Sequence, residues 1–175
     1  DGDGINDHEE RLGAILWGAV DGAAAAWFNR PGSGVVDCTW CSVDDAAGEV
    51  ALPFDFPWRT QRWSRVWIVA NGTLGLGGGQ TALTPRALPD THAGTTPFFA
   101  VFWQHLQVVP AAGGQVWTAP RPGGGFVVSW ENLNLAGVPD SRLSLQAELH
   151  ADGDMIWRYR DLDDGNGLAP VGIVG

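Results

Sequence analysis

Between Leu52 and Gly77 the chain reads "LPFDFPWRTQRWSRVWIVANGTLGLG". Hydrophobic residues alternate through it, with Val66, Ile68 and Ala70 on one side and Trp67 and Val69 on the other. A period of two predicts a strand, and apolar residues on both sides predict a strand buried on both faces. Asn71-Gly72 interrupts the run, because these residues tolerate the positive φ of a hairpin turn. Leu74 and Leu76 then resume the alternation. The stretch predicts strand, aromatic turn, strand, tight turn, strand. Asn71-Gly72-Thr73 also matches a glycosylation acceptor, but the turn accounts for it better.

The same pattern continues along the chain. Phe98 to Leu106, "FFAVFWQHL", predicts a central strand. Residues 115–118, 125–134 and 143–150 predict three successive antiparallel strands. In the third, Leu143, Leu145, Ala147 and Leu149 face inward, and Ser144, Gln146, Glu148 and His150 face outward. Asp152-Gly153 turns the chain into Met155–Leu162, where Met155, Trp157 and Tyr159 face inward and Arg158 and Arg160 outward. Glu148 opposite Arg158 reads as a cross-strand pair, a surface salt bridge worth at most ~1 kcal/mol. The terminal "APVGIVG" predicts a strand whose edge must be paired in cis or by a neighbour. Residues 77–97 form a long Gly/Thr/Pro loop carrying His92. At the other end, Arg11 to Ala26 is rich in Ala and interrupted by Gly, which predicts a short helix or irregular stretch to about Val20. The first strand is expected from Ala24, with Trp27 and Phe28 packing on the sandwich.

Twenty-five Gly and eleven Pro spread between short apolar runs argue for an all-β fold. The expected architecture is an antiparallel, jelly-roll-like β-sandwich over residues 24–175. Residues 1–23 form an acidic loop and linker before it, with a short irregular or helical N-terminal segment. All ten basic residues are Arg, and twenty acidic residues bring the net charge to −10. Such a chain, without a basic cluster, is a poor candidate for nucleic acid or for an anionic membrane. No apolar run approaches the ~20 residues of a membrane-spanning helix, so no membrane insertion is expected. No signal peptide is visible, and the abrupt start fits a mature or trimmed form.

The opening "DGDGINDHEE" resembles the second half of a thrombospondin type 3 calcium loop. Counting Asp1 as loop position 3 puts Asp3 at 5, Gly4 at 6, the Ile5 carbonyl at 7, Asp7 at 9 and Glu10 at 12. Ca²⁺ takes six to eight oxygens, so short acidic side chains alternate along a tight loop that a Glu closes. The first ligand would lie before Asp1. The expected ligands are Asp1, Asp3, Ile5, Asp7 and Glu10. "DLDDGNG" at 161–167 is a second acidic turn without full loop spacing. Cys38 and Cys41 are the only cysteines. Their CxxC reads first as a local disulfide in an oxidising compartment. A redox pair would need a βαβ context, and a zinc site would need a second CxxC or a suitable His pair.

The 52–77 segment resembles the "LPF-F-F…Y-S-hydrophobic-SNG-L-F" segment of the nidogen-like domain and its relatives in bacterial surface and secreted proteins. Four later segments fit in order. "FFAVFWQHL" is similar to that family's "IAPFWDDL", and "GFVVSWENL" at 125–133 to "FVVTWENV". "LQAELHADGDMIWRYRDL" at 145–162 is similar to "FQVVLYEDGSIEFRYKDL", and "PVGIV" at 170–174 to the closing "ATVGI". The resemblance spans roughly residues 25–175. It implies a secreted or cell-surface β-sandwich and leaves the ligand open, because the family is defined by its core. Asp44-Asp45 resembles the family's "DD" before its first long strand and reads as a solvated turn, with a cation contact as the alternative. Gln104 and His105 replace the family's aspartates after its Trp. If those aspartates carry cation or turn chemistry in relatives, this chain has lost it.

Three functions follow. The first is a non-catalytic extracellular module for adhesion or surface assembly, calcium-stabilised, whose partner is another copy of itself or another surface protein. The second is carbohydrate binding, with Trp40, Trp58, Trp63 and Trp117 in loop-like or edge contexts as the stacking residues. Trp67, Trp103, Trp130 and Trp157 lie on strand patterns and read as core. The third is a hydrolase, for which Glu131 and Glu148 are the one carboxylate pair to check. The motifs GxSxG and HExxH and a glycine-rich phosphate loop are all missing, so binding is the expected activity.

Overall fold

The computed structural model describes residues 26–81 and 96–163. Their strands are β1 (Val36–Asp37), β2 (Ala47–Trp58), β3 (Gln61–Val69), β4 (Thr73–Gly75), β5 (Phe98–Ala100), β6 (Leu106–Gln107), β7 (Gln115–Arg121), β8 (Gly125–Leu135), β9 (Val138–His150) and β10 (Met155–Asp163). One sheet has the order β2-β3-β4-β5. The other has the order β1-β7-β8-β9-β10, with β6 pairing the far end of β8. Neighbouring strands are antiparallel, and the two sheets pack as a sandwich, as the alternation predicts.

The inner faces follow the period of two. Val66, Ile68, Leu74 and Phe56 from one sheet meet Val128, Trp130, Leu145 and Leu149 from the other. All eight are fully buried, and each such side chain stabilises the fold by ~1.5–3 kcal/mol. Trp130 Nε1 donates to the Val69 carbonyl at 3.0 Å, a bond from one sheet to the other. The predicted hairpin forms as the three-residue loop Ala70–Gly72, with Val69 opposite Thr73. Gly72 takes the left-handed position at φ 74° and donates to the Val69 carbonyl. A Cβ there would strike the Phe102 carbonyl.

Both outer faces are covered, each by a segment without strand structure. On the four-stranded sheet, Trp67 and Val69 point outward as predicted, and Val69 is fully buried. Gly77–Gln80 folds back over them. Thr73 Oγ1 donates to the Gln80 carbonyl at 3.0 Å, and a Cβ on Gly79 would collide with Ala47. The approach is close enough that only glycine fits.

On the other sheet the covering segment is residues 26–35, which corrects the expectation of a strand from Ala24. These residues are irregular, and strand structure begins at Val36. Trp27 and Phe28 do pack on the sandwich, but from outside. The Arg160 guanidinium lies 4.2 Å from the Trp27 ring centre. The Phe28 N–H donates to Gln146 Oε1 at 3.1 Å, and Gln146 Nε2 returns a bond to the Phe28 carbonyl at 2.7 Å. Phe28 and Val35 then pack on Trp117, Ala119 and Val127.

Two further expectations are corrected. Phe98–Leu106 is not one strand. β5 ends at Ala100, residues 101–105 cross from one sheet to the other, and β6 begins at Leu106. Val101, Phe102 and Trp103 are buried in that crossing, which is why the run is apolar throughout. Glu148 and Arg158 do pair, at 2.7 Å, but not on the surface, since both are almost fully buried. Nor are they opposite: Glu148 faces Ile156, and Arg158 faces Gln146. The pair is diagonal.

Candidate functional site

The CxxC segment forms a single 3₁₀ turn, Thr39–Ser42, that leads from β1 toward β2. Cys38 and Cys41 are joined in a disulfide, with Cα atoms 5.4 Å apart. The Val43 N–H closes the turn on the Trp40 carbonyl, and the Ala46 N–H bonds the Val43 carbonyl. Between these bonds the chain presents Asp44 and Asp45. Asp45 holds a positive φ of 57°, a conformation that costs a non-glycine residue ~1–2 kcal/mol.

Asn71 explains how Asp45 is held. Its side chain is fully buried at the tip of the β3–β4 loop. Asn71 Nδ2 donates to Asp45 Oδ1 at 2.8 Å, and Asn71 Oδ1 accepts the Leu106 N–H at 3.1 Å. The Gln104 N–H bonds the Asn71 carbonyl at 3.3 Å. One asparagine thus ties the disulfide turn to the crossing segment, and its burial removes it as a glycosylation acceptor in the folded chain. The same bonds bring His105 to the acidic pair. His105 Nε2 lies 3.4 Å from Asp44 Oδ1 and 3.9 Å from Asp45 Oδ1. Asp44 also borders a cleft of about 230 Å³ lined by Cys41, Val43, Leu106, Val108 and Val109.

A second polar group lies under the 26–35 segment. Glu148 is ion-paired with Arg158 and Arg121, and His150 Nε2 stands 2.9 Å from its other oxygen. Gly125 leaves room for that carboxylate, because a Cβ there would collide with it. At the margin, Arg30 holds Asp37 through two bonds of 2.7 and 3.0 Å. Those bonds push the Asp37 carboxyl below its ordinary range and the Arg30 guanidinium above its own. On the inner face, Tyr159 donates to the Val101 carbonyl at 2.6 Å, and burial raises its hydroxyl to about 12.

A family model described as NIDO related matches residues 22–175. The chain belongs to the NIDO-related family. Comparison with curated proteins and with solved structures returns no match. A NIDO-related domain is an extracellular module of non-catalytic type. Among the described residues, no helix is long and apolar enough to cross a membrane.

Within this NIDO-related domain the sequence-predicted residues fare differently. Asp1, Asp3, Ile5, Asp7 and Glu10 lie outside the described residues, as do His92 and most of the 161–167 turn. Trp117 does not present a face to solvent. It sits on the interior strand β7, fully buried beneath Phe28 and Arg30, because the 26–35 segment covers it. Trp40, Trp58 and Trp63 are half-buried and pack against the core. Trp58 meets Phe99 edge to face at 4.8 Å, Trp40 lies on Gly48 and Trp63 on Gly77. Of the four tryptophans expected in the core, Trp103 and Trp130 are buried and Trp157 packs against it, whereas Trp67 lies half-buried on the outer face beneath Gly79.

Glu131 and Glu148 do not form a catalytic pair. Glu148 stands opposite Val127, four positions from Glu131 along β8. That is roughly 13 Å of strand, beyond the roughly 5–10 Å that paired-carboxylate hydrolysis uses. Glu131 instead accepts bonds from Ser129 and Gln115. Sequence reasoning missed the meeting of Asp44 and Asp45 with His105. No spacing signals it, since the residues are 60 positions apart and only the Asn71 bonds bring them together.

Proposed function

We propose that this chain is an adhesion or surface-assembly module that works by binding, with another copy of itself or another surface protein as partner. The supporting observation is where the apolar surface goes. The described tryptophans are all buried or half-buried, whereas the exposed large hydrophobics among the described residues are Val36, Val43 and Val109. Val43 and Val109 line the one cleft described above, and Val36 lies on the outermost strand of its sheet. Apolar side chains gathered beside a cleft on a strongly acidic protein mark a contact surface. The long strands β2 and β10 each have a single strand partner among the described residues, which leaves edges that a neighbour can extend.

Calcium at Asp1, Asp3, Ile5, Asp7 and Glu10 belongs to the same reading, as a means of stiffening the segment before the sandwich. It rests on their spacing alone. The test is sedimentation of the wild type and of Val43→Asp/Val109→Asp. The wild type associates as concentration rises, and the double variant stays monomeric while keeping its melting temperature. Equal association by both proteins would remove the cleft from the contact. Binding to a glycan array by a monomeric wild type would replace assembly with carbohydrate recognition.

A further inference from the structure

We propose that Asp44, Asp45 and His105 form a site for a borderline transition-metal ion of the Zn²⁺ class, which fastens the disulfide turn to the crossing segment. One ligand atom from each residue lies within 4.8 Å of the others. The His105 distances suit a ligand set as well as a plain ion pair. At 3.4 and 3.9 Å they exceed the 2.7–3.2 Å of a good N–H···O bond. They lie close to the edge of a tetrahedron around zinc. Bonds of 2.0–2.2 Å from zinc to nitrogen and oxygen give ligand-to-ligand edges of about 3.3–3.6 Å. An ion between the three atoms needs only small rotations of the Asp44 and His105 side chains, which are partly exposed, toward the Asp45 carboxylate that Asn71 holds.

The donor set selects the ion. Two carboxylates and an imidazole suit zinc, whereas calcium prefers six to eight oxygens and has no use for the nitrogen. The surroundings are those of a held site. Asn71, fully buried, orients the Asp45 carboxylate through its amide, as outer hydrogen bonds do for metal ligands. The His105 carbonyl accepts the Ala136 N–H at 2.9 Å, which anchors that residue from the other side. The open cleft beside Asp44 admits a water as fourth ligand. The ion would close a loop of about 60 residues between sequence positions 45 and 105 and so add to stability by constraint.

The test is titration of the full chain with Zn²⁺, Co²⁺ and Ca²⁺ by calorimetry and thermal melting, after stripping with chelator. His8→Ala/His92→Ala serves as the background, which leaves His105 and His150 as the histidines of the chain. Expected is one Zn²⁺ per chain with a rise in melting temperature, and a Co²⁺ spectrum with the intense visible bands of four-coordination. His105→Ala and Asp44→Asn/Asp45→Asn each weaken Zn²⁺ at least tenfold while leaving the metal-free melting temperature within a few degrees. Zn²⁺ affinity unchanged in both variants overturns the proposal. So does Ca²⁺ binding that matches Zn²⁺, ignores His105→Ala and is lost in Asp44→Asn/Asp45→Asn, which would leave only an acidic surface turn.

Discussion

Tyr159 offers a test of the core that no other group obscures. It is the single tyrosine of a chain without lysine, and both cysteines are in the disulfide. Arginine stays charged to pH 12 and beyond, and a terminal amine has already lost its proton by pH 9. Between pH 9 and 12 the phenol is therefore the one side chain that titrates. Burial raises it to about 12 in the folded chain, against about 10 when unfolded. The folded state keeps a proton that the unfolded state releases, so stability falls as pH rises through this window. The contribution is whole below pH 10 and lost as pH passes about 12. Two units correspond to ~2.7 kcal/mol, and partial exposure of the ring reduces that to ~2 kcal/mol. For a domain of this size the loss lowers the melting temperature by roughly 4–8 °C.

The assay is a series of melts from pH 9 to 12, followed by tryptophan fluorescence, on the wild type and Tyr159→Phe. The variant starts lower by ~1 kcal/mol, because the bond to the Val101 carbonyl is gone, and it should then stay flat. Absorbance at 295 nm reports the phenolate directly. A variant that loses stability as steeply as the wild type would refute the reasoning. So would a phenolate that forms near pH 10 while the protein remains folded.

Two further substitutions probe the contacts that organise the site. Glu148→Ala leaves Arg158 and Arg121 without the carboxylate between them beneath the 26–35 segment, and should cost ~3–5 kcal/mol in denaturant titration. A loss below 1 kcal/mol would return the pair to the surface role that the sequence suggested. Asn71→Ala strands the buried Leu106 N–H and frees Asp45, costing ~1–3 kcal/mol. It should also weaken Zn²⁺ at Asp44, Asp45 and His105 about tenfold by calorimetry.

Much of the sandwich is legible in the sequence because alternation is local. β7 to β10 fall where the period of two puts them, and the inward set from Leu143 to Leu149 is buried as predicted. What alternation cannot reveal is what lies on top of a face. Gln146 and Glu148 read as surface residues because they are polar, yet the segment "WFNRPGSG" covers them, and that segment has no periodicity to announce it. The same cover buries Trp117. The run Phe98–Leu106 fails for a different reason: a continuous apolar stretch looks alike as a buried strand or as a buried crossing between sheets. The Asp44-Asp45 turn was visible as acidic, but its meeting with His105 depends on Asn71, a residue that the sequence offers only as half of a hairpin turn.

The activity proposed for this chain is association through binding rather than catalysis. Light scattering after size exclusion tests it most directly, run across protein concentration first in calcium and then in EDTA. The expected result is a mass that grows with concentration and falls back when calcium is removed. A monomer of 18.6 kDa under every condition would contradict it.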